Sequence, residues 1–386
     1  MSNVPQPIRI VHVITGLSAG GAERTMINVA RGLDPARFQS SVISLSRDHT
    51  FAPALHAAGI PITTLDARPL LTLGLGPLRR VARILRREKP DVVQTWLFDA
   101  DLVGGIAAWM TGVPVIWNVR ASLSDSGWRP LASSVRLRIV ARICEALSGV
   151  IPHNIISSSQ ANVRRNLHRY QQEKLRVIGN GVDVDLFKPD RIARAEVREE
   201  LGVLESTPLI GMAARFHPVK DFETFFAAAQ RVIETHPEGR FLLCGQGMER
   251  ENAALTRIIR SHGLEDFVLR LGFRDDVARI FGALDLHVLS SKSESFGNVH
   301  MEAMAAGVPC VSTDVGEARS IIGDTGRIVP RGDPAALAAA IRELIDLPSD
   351  EREALRVRAR ERIVREFPLA SVVERYAQLY EEVVGG

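Results

Sequence analysis

The chain has 386 residues, 46% of them hydrophobic and 24% charged, a globular composition that excludes a disordered or fibrous protein. That length exceeds one ordinary core and suits two domains of about 190 residues each. The net charge of +3 is unevenly spread: residues 1–183 hold 22 Lys/Arg against 12 Asp/Glu, and residues 184–386 hold 26 against 33. The first half is therefore a candidate for an anionic partner such as a membrane surface, a lipid phosphate or a charged acceptor; the alternative is a scatter of solvated arginines. Cys144, Cys244 and Cys310 lie far apart and form no CxxC pair, which argues against a disulfide framework. A reducing, cytosolic setting is expected.

In chain order, the start (MSNVPQPIRIVHVI) lacks the pattern of a signal peptide and leads into a strand over 8–15. Further strands are read at 40–45, 91–96, 114–119 and 149–157. Two basic amphipathic helices fall among them. LRRVARILRRE (78–88) puts Leu78, Val81, Ile84 and Leu85 on one face; LASSVRLRIVARI (131–143) puts Leu131, Val135 and Ile139 in one stripe beside Arg136, Arg138 and Arg142. Such faces suit either core packing or an anionic membrane. Residues 102–119 carry no charge, yet Gly104, Gly105, Gly112 and Pro114 make them a helix, a turn and a buried strand rather than a membrane span. The alternation resets near residue 183, and strands follow at 208–214, 240–245, 267–273, 285–291 and 309–313. Continuous apolar strands imply parallel sheets covered on both faces, hence an α/β fold of two doubly wound domains, 1–183 and 184–368. After Pro368 a helix over 369–384 carries Val372, Val373, Tyr376, Leu379, Tyr380 and Val383 in one stripe, and it is expected to cross back to the first domain.

Three segments carry chemistry. GLSAGGAER (16–24) follows the first strand, and Gly20 and Gly21 allow close approach of a ligand, although neither a dinucleotide fingerprint nor a P-loop is present. In ARFHPVKD (214–221), Arg215 and Lys220 stand at a strand's carboxyl end, where two cations suit a departing diphosphate; solvated surface cations are the alternative. In SKSESFGNVHMEAMAAGVPCVST (291–313) a strand gives way to a helix near Asn298. There the amides of Gly297, Asn298 and Val299 make an anion site. Glu302, one turn into that helix, can accept ribose hydroxyls, and Glu294 can accept those of a sugar; an ordinary first-turn acid is the bland reading of Glu302.

Glu294 and Glu302 stand in the E-x7-E pattern of the retaining glycosyltransferases of family 4, which have the GT-B fold. The chain resembles that family over nearly its whole length. GGAER, DVVQTW, GVPVIW, VIGNGVDVDLF, ARFHPVKD, LCGQGMER, LGFRDDV, ESFGNVHME, AAGVPCVSTDVGE and GRIVP occur in the family's order. The resemblance implies two Rossmann-like domains facing each other across a donor-binding cleft. It implies that Arg215 and Lys220 bind the diphosphate and, with Glu294, serve catalysis. Glu302 would hold the ribose, Glu294 the transferred sugar, and Phe296, Gly297 and Asn298 would lie alongside. Gly20 and Gly21 would close over the donor, and Gly245, Gly247, Phe273 and Arg274 would line the base. Asn180 and Gly181 would form a turn near the interdomain hinge.

One departure is visible. Many members carry a histidine after the strand that here runs PVIWNV into Arg120, so Asn118 or Arg120 occupies that place as an acceptor-side candidate. Arginine cannot act as a general base near neutral pH, but it can bind an anion; a purely structural arginine is the alternative. His12 and His153 read as core residues, whereas His217 and His300 fall inside the site motifs.

The implied function is transfer of a sugar from a nucleotide diphosphate sugar to a glycan or lipid-linked acceptor, with retention and without a metal or cofactor. A uridine donor is favoured over a guanosine one, although no side chain decides the base. The setting is cytosolic, at the inner face of the membrane if the basic helices rest there, and nucleic acid is not an expected partner. A nucleotide-sugar 2-epimerase on a similar fold and a non-catalytic nucleotide-sugar-binding protein are the alternatives.

Overall fold

A computed structural model describes residues 6–17, 20–47, 50–66, 75–120 and 131–385. Two compact units are present, Met1–Gly181 together with Leu369–Gly386, and Val182–Pro368.

The first unit holds strands β1 (Ile8–Ile14), β2 (Phe38–Ser44), β3 (Ile62–Thr64), β4 (Val92–Trp96), β5 (Val115–Val119), β6 (Asn154–Ser157) and β7 (Leu175–Val177). Between them lie helices α1 (Gly21–Gly32), α2 (Ala52–Ala57), α3 (Leu75–Glu88), α4 (Phe98–Thr111), α5 (Leu131–Leu147) and α6 (Gln160–Asn166). The strands form one parallel sheet in the order β3-β2-β1-β4-β5-β6-β7. β4 and β5 are buried at every position, as continuous apolar runs require. The three-residue strands β3 and β7 are sheet edges with little buried surface, so they give no apolar run in the sequence.

The uncharged stretch 102–119 divides into α4, a left-handed Gly112 that ends the helix, and β5. No helix among the described residues is long and apolar enough to cross a membrane. On α3, Val81, Ala82 and Leu85 are buried in the core and Leu78 and Ile84 pack partly against it. Burial of a side chain such as Val81 or Leu85 stabilises by about 1.5–3 kcal/mol. On α5 the structure corrects the expected stripe. Val135 and Ile139 are 45% and 50% exposed, while Leu137, Val140, Ala141 and Cys144 face the core. The helix carries two apolar stripes, and the one through Leu137, Val140, Ala141 and Cys144 packs inward.

The second unit holds β8 (Leu209–Ala213), β9 (Arg240–Cys244), β10 (Val268–Gly272), β11 (Leu286–Leu289), β12 (Cys310–Thr313) and β13 (Gly326–Val329). Its helices are α7 (Arg191–Glu200), α8 (Phe222–Ile233), α9 (Ala253–Ser261), α10 (Val277–Ala283), α11 (Asn298–Ala305), α12 (Ala318–Ile322), α13 (Pro334–Ile345) and α14 (Ser349–Glu366). The parallel order is β10-β9-β8-β11-β12-β13, a doubly wound sheet whose direction of winding reverses between β8 and β11.

The last helix, α15 (Leu369–Gly385), packs on the first unit against α1, β1 and β4. Val372, Val373, Tyr376, Leu379 and Tyr380 are the buried stripe, and Tyr380 Oη donates to Gln94 Oε1.

Candidate functional site

Open α/β sheets bind ligands outside the carboxyl ends of their strands where the winding reverses. In the second unit that place is the β8–β11 pair, and the charged segments singled out in the sequence emerge there. Arg215 lies two residues beyond β8, and Lys220 ends a short 3-10 turn over Pro218–Lys220. Glu294 lies in the loop between β11 and α11.

The loops are tied together. Lys220 Nζ lies 2.5 Å from Glu294 Oε1, and Ser291 Oγ donates to the same oxygen at 2.6 Å. Burial alone raises the Glu294 pKa, but the Lys220 ammonium and the Ser291 hydroxyl hold it below the ordinary carboxylate value. Lys292 N donates to Val219 O at 2.8 Å, and Lys292 Nζ reaches Asp221 Oδ1 at 3.1 Å. Asp221 adopts φ 54°, an uncommon left-handed conformation for a non-glycine residue, and Thr224 donates to its carboxylate. Ser290 Oγ donates to the carbonyls of Lys220 and Asp221 at 2.8 and 3.0 Å. His217 caps the turn, its Nδ1 accepting from Val219 N. Arg215 is exposed and takes part in no ion pair among the described residues.

Gly297 is the residue preceding α11, at φ 104° and ψ 48°. This left-handed entry turns the first-turn amides of Asn298 and Val299 out of the helix end, where they and the helix dipole favour an anion. Gly245, after β9, has φ 138°, and a Cβ there would fall 2.0 Å from Ala214 O. Only glycine lets the β8 and β9 carboxyl ends approach this closely. Phe296 and Glu302 are buried at 7% and 5% exposure, and Asn298 is half-buried. β8, β11 and α11 thus set a free guanidinium, an ion-paired ammonium, a helix N-terminus and two carboxylates around one end of one sheet.

Other expected residues are engaged differently. Phe273 stands 55% exposed just beyond β10. The Arg274 guanidinium is clamped by Asp276 at 2.7 and 2.8 Å and by Glu200 at 2.7 Å, so its charge is already matched. Gly20 precedes α1 and Gly21 opens it, and the Glu23 carboxylate lies so close that a Cβ on Gly20 would clash with it.

Asn118 and Arg120 lie in the interior of the first unit. Both are buried, at 0% and 5% exposure. Arg120 donates to Asn118 Oδ1 at 2.8 Å, to Asn180 Oδ1, to Ile178 O at 3.3 Å and to Tyr376 Oη at 2.6 Å, and it stacks over Trp96. Asn118 Nδ2 also donates to Tyr376 Oη, at 2.9 Å. The network fastens β5, the segment through Asn180 and α15 to one another within the first unit. It engages both side chains within the first unit, as a structural arginine at a strand end would be.

Sequence reading passed over Ser290, Ser291, Asp221 and Lys292, which position the charged pair. It also passed over Asp101 in α4. That carboxylate is fully buried, accepts from Thr95 Oγ1 at 2.5 Å, and has no hydrogen-bond partner for its second oxygen among the described residues; burial raises its pKa to about 7. No motif announces it, because its environment is assembled from three segments.

Fold and site together define a glycosyltransferase of the GT-B type, with two Rossmann-like domains. The chain belongs to the glycosyltransferases described as family 4 over residues 19–186 and as glycosyl transferases group 1 over residues 207–347. The UDP-Gal:alpha-D-GlcNAc-diphosphoundecaprenol alpha-1,3-galactosyltransferase of Escherichia coli is 26% identical over 396 residues, covering 100% of this chain and 99% of that one. The N-acetyl-alpha-D-glucosaminyl L-malate synthase of Bacillus anthracis is 28% identical over 314 residues, covering 79% and 78%. Anabaena Alr3699/HepE, solved in complex with UDP and glucose, superposes with a TM-score of 0.84 at 25% identity, covering 97% of this chain and 100% of that one.

Proposed function

We propose that the chain transfers a hexosyl group from a uridine diphosphate sugar to a lipid-linked or glycan acceptor, with retention of anomeric configuration. The observation that carries this reading is the convergence of Arg215, Lys220, Glu294 and the α11 N-terminus at the β8–β11 reversal. Relatives named for UDP-galactose transfer to a diphosphoundecaprenol acceptor and for UDP binding support the uridine donor.

The bond to be broken joins the anomeric carbon to a phosphate oxygen. Its electron pair leaves with the diphosphate, whose growing charge is met by Arg215, by Lys220 and by the first-turn amides of α11. Lys220 is shared: as long as Glu294 holds it, the ammonium is oriented, and a bound diphosphate competes for it. Glu294 accepts hydroxyls of the transferred sugar, and Glu302 those of the ribose. The acceptor hydroxyl attacks on the face the diphosphate leaves and gives its proton to a departing phosphate oxygen, so no protein nucleophile and no divalent ion at the reacting centre is required. Phe273 and the backbone at Gly245 and Gly247 flank the base.

The first unit binds the acceptor, at the cytosolic face of the membrane. The exposed Val135 and Ile139, with Arg138 and Arg142 on the same helix, suit an anionic lipid surface. Binding to anionic vesicles that falls with added salt supports this, and equal binding to neutral vesicles refutes it.

The test is donor turnover without added divalent metal. UDP-galactose, UDP-glucose, UDP-N-acetylglucosamine and GDP-mannose are each supplied with a diphosphoprenyl-linked N-acetylglucosamine acceptor. Nucleoside diphosphate release that requires the acceptor, with an α-linked product by NMR, is the expected result. Donor consumed without acceptor would indicate an epimerase or hydrolase instead.

A further inference from the structure

The parallel register of β11 and β12 places His287 directly beside Cys310, so both side chains point to the same face of the sheet. α11 crosses that face and lowers His300 onto them. All three residues are fully buried. One nitrogen from each histidine and the Cys310 sulfur lie within 4.8 Å of one another. The Cys310 Sγ to His287 Nδ1 separation is 3.9 Å, and the two imidazole rings meet edge to face at 5.6 Å between centroids.

His300 supplies an independent observation. Neither of its ring nitrogens has a hydrogen-bond partner among the described residues, although the side chain is fully buried. A neutral imidazole always carries one donor and one acceptor, so two unmet polar atoms in an apolar interior are costly. A cation bound through one of them removes much of that cost.

We propose that His287, His300 and Cys310 form a binding site for a thiophilic, zinc-type metal ion in the core of the second unit. The donor set is two imidazoles and one thiolate, which suits zinc and related late transition ions rather than magnesium or calcium. A metal–sulfur bond of about 2.3 Å and a metal–nitrogen bond of about 2.0 Å set sulfur and nitrogen roughly 3.5–3.8 Å apart at tetrahedral to trigonal angles. The observed 3.9 Å needs only slight closure. On binding, the Cys310 S–H bond breaks, its electron pair goes to the metal, and one proton is released to solvent. His287 binds through Nδ1 and carries its proton on Nε2, giving up the long 3.4 Å contact from Ala213 N in exchange for a metal–nitrogen bond. Glu294 attracts a cation at this place and Lys220 repels it, and because the two are paired, the field they leave is weak.

The site lies beneath the donor-binding turn. A Cβ on Gly297 would fall 3.0 Å from His300 Cδ2, so the His300 ring supports the entry to α11 from below. The bound metal fixes that turn and is a structural group, separate from the reacting centre. This assignment stands whether or not the donor is a uridine sugar.

The full-length chain is unfolded in chelator, refolded with or without zinc, and freed of excess metal by gel filtration. One zinc per chain and a melting temperature several degrees above the metal-free protein are expected. Refolding with Co(II) gives a sulfur-to-cobalt charge-transfer band. Cys310→Ser and His300→Leu each abolish that band, whereas Cys144→Ser and Cys244→Ser retain it. Folded wild-type protein with no stoichiometric zinc and no charge-transfer band overturns the proposal. So does a band that survives Cys310→Ser or is lost with Cys144→Ser or Cys244→Ser. Should the site variants fail to fold, the wild-type stoichiometry and cobalt spectrum decide the matter.

Discussion

Lys220 Nζ and Glu294 Oε1 lie 2.5 Å apart, so the cation assigned to the phosphates and the carboxylate assigned to the sugar neutralise each other before any ligand arrives. Their pairing gives each a preset orientation, and it makes phosphate and carboxylate competitors for one ammonium. Removing the carboxylate charge therefore has opposite effects on binding and on turnover. Glu294→Gln is expected to bind UDP more tightly, by about 1 kcal/mol or five-fold, the scale of a partly exposed ion pair. Its transfer rate is expected to fall by about 10²-fold or more, because the sugar loses a charged acceptor. Calorimetry and a coupled UDP-release assay measure the two separately; weaker UDP binding by the variant would show that the pair does not compete with the ligand.

Gly245 holds φ 138°, and a Cβ there would meet the Ala214 carbonyl. Gly245→Ala is expected to destabilise by about 1–3 kcal/mol through the backbone conformation alone, and by more through the clash. Denaturant melts compare it with Gly59→Ala, which shares a positive φ but meets nothing within 4 Å. A similar loss for both would remove the argument from close approach.

Arg120 fastens α15 through its hydrogen bond to Tyr376. Arg120→Met is expected to cost about 2–4 kcal/mol, because Asn118, Asn180 and Tyr376 lose charge-assisted partners in a buried setting. UDP affinity of the folded fraction should stay within about two-fold of wild type, near the limit of a 0.4 kcal/mol difference. A large loss of donor affinity without loss of stability would indicate a ligand-binding role.

Asp101 makes stability depend on pH. Its pKa rises from 3.8 unfolded to about 7 folded, so between these values the native state binds more protons than the unfolded one. Stability conferred by the protonated form is fully present below the unfolded pKa and is lost as pH rises through the folded one, by up to about 4 kcal/mol. Melting temperature measured from pH 5 to pH 8 should fall more steeply for wild type than for Asp101→Asn. Parallel profiles would contradict the assignment.

Much of this fold is legible in the sequence, for a physical reason. β8, β11 and β12 are buried on both faces and therefore read as apolar runs, and the site residues follow directly at their carboxyl ends. The E-x7-E spacing survives because both glutamates belong to one loop-and-helix segment. What is hidden depends on contacts between segments distant in sequence. His287, His300 and Cys310 are separated by 13 and 10 residues and show no ligand spacing; strand register and one helix crossing bring them together. Arg120 at a strand end reads as a ligand group or a structural residue alike, and its hydrogen bond to Tyr376, from the far end of the chain, leaves no trace in the local sequence. On α5, two apolar stripes compete for the core, and periodicity alone does not say which wins.

The most direct test of the donor site is a calorimetric titration of UDP into wild type and Arg215→Ala. Arg215 is exposed and outside every ion pair among the described residues, so its removal should leave the melting temperature unchanged. Loss of one charge-assisted contact to a diphosphate should raise the Kd about 10- to 100-fold, corresponding to about 1.4–2.8 kcal/mol. The same Kd for both proteins would contradict a nucleotide diphosphate held at the β8–β11 reversal.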